Sequence, residues 1–133
     1  MSFYDKKRRL VVGNYDTFAI PFVIKNHIPL ENEEFVFTVR RVLDTTKRMG
    51  RPPEKGDIVF QQTVTYEELT LIKDDNDTVV GCYFYVTATK EEAELIPDGI
   101  NAYDLAVVNT NANTENELIP PSEFIVGEVL RYE

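Results

Sequence analysis

The stretch Val80-Gly81-Cys82-Tyr83-Phe84-Tyr85-Val86-Thr87-Ala88-Thr89 decides the fold class. Val80, Cys82, Phe84, Val86 and Ala88 form one alternating set, and Tyr83, Tyr85, Thr87 and Thr89 form the other. Successive side chains of an extended chain point to opposite sides, so this period of two predicts a strand with one face in a core and one toward solvent. Cys82, in the middle of the apolar set, reads as a small core hydrophobe.

The same period recurs outward from this stretch, at Phe18, Ile20, Phe22 and Ile24, at Phe35, Phe37 and Val39, and at Ile58, Phe60, Gln62 and Val64. Pro21 removes a ladder donor, which predicts that its strand lies at a sheet edge or carries a bulge nearby. In the last segment Phe124 and Val126 share a phase that Val129 does not, and Gly127 between them predicts a bulge. One helical element is expected, because Thr89-Lys90-Glu91-Glu92 is a capping-box pattern followed by Ala93 to Ile96 and stopped by Pro97-Asp98-Gly99. Asp74 to Asp77 and the Asn-rich run from Asn109 to Asn116 are dense in turn formers and read as hairpin tips. Short strands, frequent turns and one brief helix predict an all-β fold, a two-sheet antiparallel sandwich of immunoglobulin-like or jelly-roll-like type. The chain has no Trp and a single cysteine, which argues against an antibody-type domain.

The length of 133 residues suits one sandwich domain spanning 1–133, and 43% hydrophobic and 28% charged residues exclude a disordered chain or a disulfide scaffold. A net charge of −9 disfavours nucleic acid and anionic membrane as partners. That charge is uneven: residues 1–55 carry eleven basic and seven acidic side chains, and residues 56–133 carry three and sixteen. Cys82 alone makes no intrachain disulfide. The basic run Lys6 to Arg9 is followed by only Leu10-Val11-Val12 before Gly13, too short for a secretion signal, so cytoplasmic synthesis is expected. The longest apolar run, Phe18 to Ile24, falls well short of the roughly 20 residues of a spanning helix.

Little in the sequence points to catalysis. The only histidine, His27, reads as a turn residue before Ile28-Pro29, and neither Ser2 nor Ser122 stands in a nucleophile-elbow context. Asp74-Asp75-Asn76-Asp77 is the best candidate for calcium, but the sixth loop position is Val79 where an EF-hand has Gly, and the twelfth is Tyr85 where it has Glu. The six glycines form neither a dinucleotide fingerprint nor a P-loop. No cofactor and no metal is expected. A carboxylate pair for a small hydrolase is the weakest reading, because such a pair is defined in space and not by spacing along the chain.

Two groups of residues are candidates for interaction. Tyr83 and Tyr85, on the solvent face of their strand, suit a sugar-stacking platform, although aromatic cross-strand pairing accounts for them with no ligand. The segment from Asp44 to Lys55 carries Lys47, Arg48, Arg51 and Lys55 around Gly50, Pro52 and Pro53. A basic segment in an otherwise acidic chain predicts docking on an acidic surface of a neighbour, with Arg48 and Arg51 steering the encounter.

The order of features carries a family resemblance. Gly13 with Asp16-Thr17-Phe18 is followed by Phe35-Val36-Phe37-Thr38-Val39-Arg40-Arg41, the short helix Glu91 to Ile96, Gly99, Tyr103-Asp104-Leu105 and the closing Phe124-Ile125-Val126. This order resembles the N-terminal domain family of phage baseplate upper proteins, β-sandwich modules of phage and prophage tails, and it spans nearly the whole chain. The resemblance implies a non-enzymatic structural or adaptor role in a tail baseplate. Its partners would be other tail proteins, with a homo-oligomer possible, and it would be made in the host cytoplasm before joining the virion. The alternative is a carbohydrate-binding sandwich, with or without calcium.

Overall fold

The computed structural model describes residues 10–13, 17–42 and 55–127, the last range beginning with the backbone of Lys55. Two sheets face each other. One holds five strands, β1 (Leu10–Val12), β3 (Glu33–Val42), β4 (Lys55–Val64), β7 (Gly99–Asn109) and β8 (Thr114–Val126), in the order β1-β8-β7-β3-β4. The other holds β2 (Phe18–Ile24), β5 (Thr70–Lys73) and β6 (Val79–Ala88), in the order β2-β6-β5. The all-β sandwich expected from the alternation is what the chain forms. The helix α1 (Lys90–Glu94) stands where the capping box placed it. The Thr89 hydroxyl accepts from the Glu92 N–H, and the Glu92 carboxylate accepts from the Thr89 N–H.

The interior is an aromatic seam between the sheets. Phe22 and Phe84 from the small sheet meet Phe37 and Phe35 from the large one, with ring centroids 5.6 Å and 5.1 Å apart. Phe18 reaches across to Phe60 and Phe124. Offset and edge-on ring pairs at this spacing add to the apolar burial. Phe37 is fully buried and touches four rings, those of Phe22, Phe60, Tyr103 and Phe124, which makes it the hub of the seam.

The inward sets of β2 and β3 are as the alternation predicts, and departures occur where the ladder slips. Ile58 is 46% exposed although Phe60 and Val64 are buried. Val39 pairs with Phe60 and Arg40 with Ile58, so Val59 is the extra residue of a bulge that reverses the phase beyond it. Val80 is exposed for the same reason: Ile72 pairs with Gly81 and Lys73 with Val79, which skips it. Gln62, on the inward phase of β4, uses its side-chain carbonyl to accept from the Thr87 N–H, beyond the point where β5 stops pairing with β6. That bond ties the two sheets together at this edge.

Pro21 lies on β2, which is an edge strand with unbroken pairing to β6, so the edge reading holds and no bulge is needed. The bulge expected at Gly127 rests on the phase of Val129. β8 ends at Val126, and Gly127, at φ 126°, donates its N–H to the Val12 carbonyl. Val129 lies outside the described residues. Among the described residues β8 is irregular at two places: opposite Asp104, between Ile119 and Ser122, where Pro120 and Pro121 have no N–H to give the ladder, and at Leu118, which is skipped between Glu117 and Ile119. All strand pairs are antiparallel except β1 with β8, a three-residue parallel pairing of the first and last described strands. The two predicted hairpin tips are hairpins, β5 to β6 and β7 to β8.

Candidate interaction surfaces

With both inner faces given over to the seam, the outward positions are where this fold offers chemistry. On the three-stranded sheet they are set by the register of β2 with β6, which pairs Pro21 with Tyr85 and Val23 with Tyr83. Tyr85 is 54% exposed, Val23 57% and Tyr83 39%. The two tyrosines therefore share one face as predicted, and β2 adds two apolar neighbours to them. This patch borders the outer edge of β2, with which no strand pairs among the described residues. Along that edge runs a groove of about 470 Å³ lined by Pro21, Val23, Asn26, Leu118 and Ile119.

The outward face of the five-stranded sheet is of another kind. The register builds two cross-strand rows. Thr63, Val36, Ala106 and Glu117 lie side by side, and Gln61, Thr38 and Asp104 lie beside them. Val108 next to Glu115 extends the face toward the β7–β8 turn. Together they form a groove of about 740 Å³ that also takes in Arg40 and Pro121. The Thr38 hydroxyl accepts from the Gln61 amide at 3.0 Å, which fixes the floor. Arg40 donates to the Gly56 carbonyl at 3.4 Å, and its buried Nε has no hydrogen-bond partner.

The basic residues Lys47, Arg48 and Arg51 lie outside the described residues, as does the side chain of Lys55. The described strands on either side of them, β3 and β4, pair at Val42 with Lys55 and at Arg40 with Ile58.

The calcium candidate is occupied by its own turn. Asp74 Oδ1 accepts from the N–H groups of Asn76 and Thr78, and Asp77 sits at φ 61°, so the acidic run shapes a β-turn. Among the described residues no group of three or more His, Cys, Asp or Glu side chains is placed to hold a metal ion. Among them, too, no helix is long and apolar enough to cross a membrane.

His27 is a turn residue, as read, but it has a buried partner that the sequence did not reveal. Its Nε2 lies 2.8 Å from Glu33 Oε1, which also accepts from the Leu30 N–H, and Glu33 is itself buried. Asn32 and Thr110 fasten the same connection to the β7–β8 turn: the Asn32 carbonyl accepts from both the N–H and the hydroxyl of Thr110. Cys82 is fully buried, and burial first, with the Glu33 charge second, pushes its thiol up to about 11. A thiol held protonated at neutral pH is a poor nucleophile.

Sequence reasoning missed the polar groove altogether. Alternation marks Val36, Thr38, Gln61 and Thr63 as outward, but nothing local says that residues 36–40, 61–63, 104–108 and 115–121 become neighbours. A smaller omission had a signal: Thr65-Tyr66-Glu67-Glu68 repeats the pattern of α1 and forms a 3-10 turn, in which Glu68 Oε1 accepts from the Thr65 N–H. No protein-family model matches the chain, and no curated protein matches it.

Proposed function

We propose that this protein is a non-enzymatic structural adaptor of a phage or prophage tail baseplate, acting through protein–protein assembly. The identification with tails rests on the family resemblance. The observation that carries the assembly role is the outer face of the three-stranded sheet, where Val23, Tyr83 and Tyr85 lie exposed together beside an edge strand that, among the described residues, pairs with no strand on its outer side. Aromatic side chains with neighbouring apolar groups are enriched in protein interfaces, and an unpaired edge offers main-chain hydrogen bonds to an incoming strand.

A carbohydrate-binding module is the second reading, favoured by the placement of Tyr83 and Tyr85 two residues apart on one face of β6. The two readings separate in one set of melting curves. A ligand that binds only the folded state raises the melting temperature by mass action. The assembly reading expects no shift with a panel of mono- and oligosaccharides, with or without calcium, and a melting temperature that rises with protein concentration or with added tail proteins. A sugar-dependent shift abolished by Tyr85→Ser overturns the assembly reading in favour of carbohydrate binding.

A further inference from the structure

The groove on the five-stranded sheet faces away from the tyrosine patch and plays no part in the argument above. Its described lining includes the carboxylates of Glu115 and Glu117, with Asp104 beside Thr38, and one guanidinium, that of Arg40. Glu115 and Glu117 are exposed on β8, and Arg40 is held at the opposite end by the Gly56 carbonyl. On the floor between them Val36, Thr38 and Ala106 present small groups that leave room for long side chains. The face is therefore a negatively charged trough, open to solvent.

The complementary chemistry is present in the same chain. Lys47, Arg48, Arg51 and Lys55 fall within nine residues, and Asp44 and Glu54 are the only carboxylates between Val42 and Gly56. We infer that the groove receives the basic segment of a second copy of this chain, in a head-to-tail contact that uses two different surfaces of each molecule. This rests on the assembly reading and names the partner and the acceptor surface. Two unlike patches on one molecule make a heterologous interface, which closes into a ring or continues as a filament according to the rotation between copies. Opposite charges mainly speed the encounter and set its orientation, so the contact weakens as salt shortens the reach of the charges. The guanidinium groups of Arg48 and Arg51 suit the paired carboxylates of Glu115 and Glu117, because the planar fork engages a carboxylate through two N–H groups.

Charge exchange tests this directly. Two variants are prepared, Glu115→Lys/Glu117→Lys and Arg48→Glu/Arg51→Glu, and circular dichroism checks that each stays folded. Mass is read by light scattering over a concentration series at about 0.1 M and about 1 M salt, where the Debye length falls from about 10 Å to about 3 Å. The wild-type chain is expected to associate at low salt. Each variant alone is expected to associate about tenfold or more weakly, since like charges then meet. Mixing the two variants restores association, because each groove finds a complementary segment on the other variant. Wild-type association left unchanged by Glu115→Lys/Glu117→Lys overturns the inference and leaves the assembly role standing. Loss in each variant with no recovery on mixing also overturns it, because the segment then meets the groove of its own molecule. A wild-type chain that stays monomeric at every salt overturns the second copy as occupant, and the sugar and partner melting curves decide the assembly reading separately.

Discussion

The two outer faces of this sandwich are built by the same rule and look nothing alike. On β2 and β6 of the small sheet the outward positions from Ala19 to Val23 and from Tyr83 to Thr87 are Ala19, Pro21, Val23, Tyr83, Tyr85 and Thr87, mostly apolar or aromatic and without a charge. On the large sheet they mix Val36, Ala106 and Val108 with Thr38, Arg40, Gln61, Asp104, Glu115 and Glu117, so charged and polar groups stand among small apolar ones. Inward positions have less freedom, since nearly all are apolar and fit the ring seam around Phe37, and the polar Gln62 is held by the Thr87 N–H. Outward positions escape that demand, so their composition reports what each face meets: one suited to dry contact and pairing along an edge, the other to a charged partner in water.

The contrast breaks entirely if the seam is opened. Phe37→Ala removes the ring that touches Phe22 across the sheets and three others within its own. It is expected to cost about 4 kcal/mol in a denaturant titration and to disorder both faces together. Gly81→Ala attacks the small sheet alone. A Cβ at Gly81 runs into the Ile24 carbonyl oxygen, backbone against backbone, so β2 must be pushed from β6 at a cost of about 2–3 kcal/mol. If association through the groove survives that change at temperatures where the variant stays folded, the two faces act independently.

Alkali probes the small sheet from within. The Cys82 thiol is raised from its ordinary value near 9 to about 11 by burial and by Glu33. Between those values the unfolded chain gives up the proton that the folded chain keeps, so stability falls as pH rises across that window. Urea titrations in steps over this range are expected to show a shallower decline for Cys82→Ala than for wild type. Equal slopes show that the thiol is not the titrating group. The smallest effect on stability belongs to Tyr85→Ser, within about 0.5 kcal/mol because the ring is more than half exposed. Its effect on association at high salt is expected to be the larger one, which sharpens the distinction between an apolar face and an electrostatic groove.

Much of the frame was legible because it is local. Thr89 and Glu92 sit three residues apart and cap α1 with no help from the rest of the chain, and Asp74 closes its own turn on Asn76 and Thr78. Pro21 announced an edge because a missing N–H is a property of one residue. The errors at Ile58 and Val80 came from bulges, which depend on how a strand is matched to its neighbour and not on its own pattern. Of the candidate surfaces, the tyrosine pair was visible as a period-two set on a single strand. The groove was not, because Glu115 and Glu117 on β8 and its floor on β3 and β7 are separated by up to 81 positions in sequence, from Val36 to Glu117.

By itself, then, the sequence determined the strand periodicity, the caps, the turns, the apolar inward sets and the imbalance of charge between its two parts. These follow from side-chain direction in an extended chain and from hydrogen bonds within a few residues. Only the tertiary structure decided which strands adjoin. It set Val23 beside Tyr83, placed Glu33 under His27, and gathered Thr38, Asp104 and Glu117 on one face. The physical reason is that alternation tells each strand which way to face but leaves many partners equally able to cover it. Packing of the rings around Phe37, and the register it imposes on both sheets, chooses among them.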